Sequence, residues 1–111
     1  MRWLKVLNKA QLPVTDSIKT VKIEGKQICI INDGDQIYAT QAFCPHAGGH
    51  FDGGWCKKGN LVCPIHRYEY DLKTGRGAEG QGDYIDIYPT DNKEDGLYVG
   101  FKESWWSKLW S

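Results

Sequence analysis

Two short segments restrict this 111-residue chain more than anything else in it. Cys44-Pro45-His46 is followed, after sixteen intervening residues, by Cys63-Pro64-Ile65-His66, so two thiols and two imidazoles arrive as two mixed pairs. Within a pair the donors are separated by only one or two residues, close enough to converge from one tight turn. Both pairs lie in a stretch from Phe43 to about Gly82 that is rich in Gly, Cys, His and charge, with only brief apolar runs such as Leu61-Val62. By hydrophobic pattern alone this stretch is loop. A loop of about 40 residues does not hold together in a small domain unless something organises it from within. Gly48, Gly49, Gly53, Gly54 and Gly59 let the first loop bend closely around a compact object. The pattern points to a metal site.

The flanks read as short strands punctuated by turns. Trp3 to Leu7 predicts a first strand, and Leu12-Pro13 a break. Thr20 to Ile23 and Gln27 to Ile31 flank a hairpin turn at Glu24-Gly25-Lys26. Asn32-Asp33-Gly34-Asp35 is a second turn, before a strand from Gln36 to Gln41. Tyr84 to Tyr88 alternates polar and apolar, as a half-exposed strand does, and Leu97 to Phe101 is the last strand. This pattern predicts an all-β sandwich or barrel.

The length suits a single domain, whose modest core would gain from a metal centre that pins its loops. Equal numbers of acidic and basic residues, 14 of each, argue against a general nucleic-acid binder, which would need a basic face. Charges interrupt the apolar residues of the N-terminus, and no run approaches the ~20 apolar residues of a membrane span. The expectation is a cytoplasmic protein whose thiols stay reduced, where four cysteines point to metal or catalysis before disulfides. Cys29 and Cys56 have no neighbouring histidine. Cys29 fits an apolar strand as a small core residue, and Cys56 reads as quiet packing with a redox role as the alternative.

The ligand pattern, Cys-x-His followed by Cys-x-x-His, resembles that of Rieske iron–sulfur proteins. Cys44-Pro45-His46-Ala47-Gly48-Gly49-His50-Phe51 is similar to the family's first loop, with Phe51 where an aliphatic residue is usual. Cys63-Pro64-Ile65-His66 and the following Tyr70-Asp71-Leu72-Lys73-Thr74-Gly75 are similar to its second loop and the turn beyond. The likeness spans roughly residues 36 to 77. It implies an all-β, Rieske-like antiparallel β-sandwich with a cluster-binding subdomain, about 43–82, inserted between strands. The domain would run over 1–104, with a Trp-rich tail at 105–111. It also implies a Rieske-type 2Fe–2S cluster held by Cys44, His46, Cys63 and His66, each loop giving a thiolate to one iron and an imidazole to the other. Zinc is the competing metal, since Cys2His2 is a common zinc set, although zinc fingers pair like with like.

Two neutral imidazoles in place of two thiolates make an added electron less costly. Rieske centres therefore span about −150 to +300 mV, against about −400 mV for all-cysteine plant-type ferredoxins. High-potential members of the family carry an extra cysteine in each loop. Those positions are Gly49 and Ile65 here, so that disulfide is absent, and a serine hydroxyl of those members is replaced at Tyr68. Both losses lower the expected potential. Tyr70 sits where high-potential relatives donate a tyrosine hydroxyl to a cysteine sulfur. It would raise the potential somewhat, unless it is an outward-facing strand tyrosine. The family's proline-rich third loop corresponds to Gly75 to Gly82, which has no proline, leaving the shielding of the cluster open.

The resemblance implies a one-electron carrier relaying electrons between a reductase and a terminal oxygenase, with no substrate site of its own. A small Rieske-like subunit of a larger oxidoreductase such as nitrite reductase is the second reading, and a zinc-bound interaction module the third. A self-contained oxygenase would need two histidines and a carboxylate for non-haem iron, and only His50 remains unassigned. His50 could shuttle protons or be a solvent-exposed loop residue. Lys57, Lys58 and Arg67 could steer an acidic redox partner or simply form a solvated surface. Trp105, Trp106, Leu109 and Trp110 would share one face of a helix, either folded back on the sandwich or in contact with a partner, sister subunit or membrane surface.

Overall fold

A hairpin shows how local chemistry sets the architecture. β2 (Ser17–Ile23) and β3 (Lys26–Asn32) are joined by Glu24 and Gly25, both at positive φ, 47° and 87°. Two left-handed residues make the turn whose twist matches that of paired strands, and Ile23 pairs with Lys26 directly across it. The computed structural model describes residues 1–45, 48–65 and 67–102.

Among the described residues, ten strands form three antiparallel sheets. The central sheet has the order β2-β3-β4-β8, with β4 at Ile37–Gln41 and β8 at Ile87–Tyr88. A second sheet joins β1 (Arg2–Asn8), β10 (Gly96–Phe101) and β9 (Thr90–Lys93) in the order β1-β10-β9. The third, β5-β6-β7, uses three strands of three residues, Trp55–Lys57, Asn60–Val62 and Glu69–Asp71.

β3 explains the layering. Ile28, Cys29, Ile30 and Ile31 are all fully buried, because side chains alternate across a strand and this strand is covered on both sides. Ile28 and Ile30 pack with Leu7, Ala39, Leu97, Val99 and Phe101 against the terminal sheet. Cys29 and Ile31 belong to a separate core with Cys44, Phe51, Leu61, Cys63, Tyr70, Leu72 and Ile85. Both cysteines of the paired motifs therefore lie in one of the two cores.

The expectation of an antiparallel β-sandwich with an inserted cluster-binding region holds. Residues 43–82 are not plain loop, however. β5, β6 and β7 run through them, too short and too polar on their outer faces to show in a hydrophobic pattern. The strand expected at Tyr84 to Tyr88 is reduced to Ile87–Tyr88, because Ile85 leaves the sheet and donates its N–H to the Gly75 carbonyl. β9 was not anticipated; its sequence, Thr-Asp-Asn-Lys, is that of a polar edge strand. A 3-10 turn at Lys9–Gln11 precedes the Leu12-Pro13 break. No helix among the described residues is long and apolar enough to cross a membrane. The Trp-rich tail lies outside the described residues.

Candidate metal centre

The two cysteine loops share one construction. Cys44, just after β4, is buried; its N–H donates to the Gly49 carbonyl at 2.8 Å, with Gly48 at φ 70°. Cys63, just after β6, is fully buried; its N–H donates to the Tyr68 carbonyl at 2.7 Å, with Arg67 at φ 55°. Each loop thus starts at a cysteine, carries a left-handed residue four positions on, and closes by a backbone bond five positions on. Gly48 adopts that conformation freely, whereas Arg67 does so at a steric cost of about 1–2 kcal/mol.

The loops press on each other. A Cβ at Gly49 would lie 2.8 Å from Ile65 Cδ1 and 3.3 Å from Cys63 Sγ. Gly49 and Ile65, the positions compared above with bridging cysteines, do face one another, and a van der Waals contact stands where a covalent link could. All four cysteines are free thiols. Burial pushes the Cys63 thiol up from its ordinary pKa, a backbone hydrogen bond from Ile65 pulls it down, and the adjoining Cys44 side chain raises it again.

Tyr70, on β7, is fully buried and not outward-facing. Its hydroxyl lies 3.3 Å from Cys44 Sγ and donates to Asp83 Oδ2 at 2.8 Å. Burial, followed by the hydrogen bonds to Cys44 and Asp83, holds the phenol far above its ordinary pKa. The ring of Phe51 meets Tyr70 edge-on, centroids 5.8 Å apart, filling the space beneath the loops.

The proline-free segment after β7 is held by backbone bonds. Asp71 N–H donates to Arg76 O, Gly77 N–H to Asp83 O and Ala78 N–H to Glu69 O. Gly75 is required here, since it sits at φ 81° and any Cβ would collide with the Ile85 carbonyl.

His46 and His66 lie outside the described residues. Among the described residues no group of three potential ligands assembles. The two thiols nonetheless suit a metal–sulfur group. They are buried side by side without a disulfide, and a backbone N–H from Ile65 reaches the Cys63 sulfur, a donor of the kind that supports a metal-bound sulfur.

The remaining residues take ordinary places. Cys29 is core, its thiol pushed up to about 12 by burial. Cys56, on β5, is partly buried and pushed up to about 11 for the same reason. His50 is neither loose nor fully exposed: Nδ1 accepts from the Asp52 N–H at 3.1 Å, Nε2 meets Gln27 Oε1 at 2.9 Å, and the ring stacks edge-on with Phe43. It caps the 3-10 turn Phe51–Gly53. Lys57 pairs with Glu69 at 3.8 Å. The sequence reading missed Asp83; a lone aspartate at the end of a glycine-rich stretch carries no signal of the tyrosine it reaches.

The sequence profile of the Rieske [2Fe-2S] domain matches residues 2–88. The chain belongs to the Rieske 2Fe–2S family. The cofactor of this Rieske protein is accordingly a Rieske-type 2Fe–2S cluster. Among curated proteins, the ferredoxin component of the naphthalene 1,2-dioxygenase system of Pseudomonas aeruginosa is 28% identical over 75 residues, covering 68% of this chain and 71% of the relative. A chain from the solved complex of reduced oxygenase and oxidized ferredoxin in carbazole 1,9a-dioxygenase is 26% identical, with a TM-score of 0.77, covering 88% of this chain and 92% of that one. A structure described as the small subunit of a putative NADPH nitrite reductase shares the fold, with a TM-score of 0.77 at 17% identity over 91% of this chain and all of the other.

Proposed function

We propose that this protein is a one-electron carrier of the cytoplasm, with its 2Fe–2S cluster held by Cys44, His46, Cys63 and His66, relaying electrons from a reductase to a terminal oxygenase or another redox enzyme. The observation that carries this reading is the pair of like-built loops, which bring the buried Cys44 and Cys63 thiols together beside Gly49. The bound cluster supplies single-electron transfer without proton or atom transfer to a substrate. The chain's own residues contribute containment and contact. Phe51 and Tyr70 exclude water below the cysteines, while Phe43 and Ile65, beside the loops, are about half exposed. A small apolar rim of this kind, with Arg67 exposed next to it, suits brief docking of a partner.

The similarity to a dioxygenase ferredoxin component supports an oxygenase as acceptor. The test is direct. Anaerobically purified protein is expected to contain iron and acid-labile sulfide, to be red-brown, and to give a rhombic EPR signal of low average g on reduction. It should then pass its electron to an oxygenase of the ferredoxin-dependent type. Colourless protein with stoichiometric zinc would remove the carrier reading, and stable co-purification with a large haem or flavin enzyme would replace it with the subunit reading.

A further inference from the structure

The Tyr70 hydroxyl has one proton and two acceptors within reach. Cys44 Sγ is 3.3 Å away and Asp83 Oδ2 is 2.8 Å away. A hydroxyl makes a short, strong bond to a carboxylate oxygen, and sulfur, even as a ligand thiolate, is the weaker acceptor of the two. The carboxylate is also held in place. Gln81 Nε2 donates to Asp83 Oδ1 at 3.3 Å, and Gln81 Oε1 accepts from the Glu69 N–H at 3.0 Å. Gly77 N–H donates to the Asp83 carbonyl at 2.9 Å. Position 77 has no room for a side chain: a Cβ would stand 2.7 Å from the Asp83 carbonyl and 2.8 Å from Oδ1. The glycine-rich segment is therefore seated against β7, with its carboxylate aimed at the tyrosine.

We propose that Asp83 is a positioning residue that draws the Tyr70 proton away from Cys44, so that the sulfur faces the phenolic oxygen and the cluster potential stays low. This inference rests on Cys44 being a cluster ligand. A hydrogen bond donated to a ligand sulfur stabilises the reduced, more negative cluster and raises its potential. Asp83 withholds that bond. Tyr70 is then a potential-setting residue whose effect is gated by the carboxylate behind it.

Removing Asp83 also removes a negative charge, which raises the potential by itself, so the measurement is a double-mutant cycle. Midpoint potentials are read by protein-film voltammetry for the unaltered protein, Tyr70→Phe, Asp83→Asn and the double variant, each assayed for iron and sulfide. Tyr70→Phe alone is expected not to lower the midpoint. Asp83→Asn is expected to raise it, and by more when Tyr70 is present than in the Tyr70→Phe background. Equal shifts in the two backgrounds, or a lowered midpoint in Tyr70→Phe, would overturn the role of Asp83. Asp83→Ala closes the same cycle without leaving an amide oxygen as acceptor. Should neither Asp83 variant load a cluster, Tyr70→Phe decides: an undiminished midpoint supports the inference and a lowered one overturns it. Unaltered protein that holds no iron or sulfide removes the ligation reading and this inference with it, whereas loaded proteins with equal shifts remove only the inference.

Discussion

Gly54 lies directly against the carbonyl oxygen of Val62, leaving no space for a Cβ between them. This contact closes the exit of the first cysteine loop onto the strand that leads into Cys63. Because the obstructing atom belongs to the backbone of β6, no rotamer change relieves it. Gly54→Ala is expected to cost about 3 kcal/mol or more in stability, with less iron and sulfide per chain, measured by denaturant unfolding and metal analysis of the purified protein.

Cysteine replacements should divide by loop. Cys44→Ser and Cys63→Ser are expected to abolish stable cluster incorporation, because hydroxyl oxygen is a poor substitute for a thiolate in an iron–sulfur centre. Cys29→Ser and Cys56→Ser are expected to keep full iron and sulfide content. Cys29→Ser places a hydroxyl in a fully buried site, near enough to Thr20 to share a hydrogen bond, and should lose about 1–3 kcal/mol of stability. Iron retention comparable to the unaltered protein in either Cys44→Ser or Cys63→Ser would contradict the ligand assignment.

Thiol chemistry offers a pH test that does not involve the cluster. Burial raises Cys56 from the ordinary 9.0 to about 11, so the thiolate, the reactive form, is about a hundredfold scarcer at pH 8 than for an unperturbed thiol. Iodoacetamide should label Cys56 slowly, with a rate rising about tenfold per pH unit and levelling only near pH 11. The sign follows from the raised value: the neutral thiol persists above pH 9, and reactivity is gained as pH rises through the folded value. Peptide mapping by mass spectrometry reads the rate, and a plateau near pH 9 would show that the site is not shielded.

His50 acts as a cap. Its Nδ1 satisfies the Asp52 N–H at the start of the 3-10 turn. His50→Ala is expected to cost about 1 kcal/mol and to leave the midpoint potential unchanged, while His50→Asn, which can cap in the same way, should recover most of the loss. A potential that moves with His50→Ala and is not restored by His50→Asn would assign this residue to the redox centre.

What the sequence made legible was what local chemistry alone determines. Glu24-Gly25 dictates its own turn, the run Ile28 to Ile31 announces an apolar strand, and the Cys-Pro-His and Cys-Pro-Ile-His segments declare two loops that pair a thiol with an imidazole. The strands β5 to β7 were not legible, since three residues are too few for periodicity and Trp55 and Lys57 face outward. The capping role of His50 and the reach of Asp83 to Tyr70 depend on neighbours 2 to 23 and 13 positions away in sequence. Those pairings come from how the third segment and the first loop fold back, which no residue-by-residue pattern encodes. Arg67 is a related case: its left-handed backbone repeats that of Gly48, but nothing in an arginine announces it.

The central sheet separates the two interiors of this molecule, with Cys29, Ile31 and Tyr38 on the metal side and Ile28, Ile30 and Ala39 on the other. The redox half leans on a scaffold with which it shares the backbone of that sheet, β2, β4 and β8 sending side chains to both sides as β3 does. A chain stripped of its iron can therefore loosen among its metal loops while the far compartment, zipped by the first and last strands, keeps its shape and stands ready as a template for reloading.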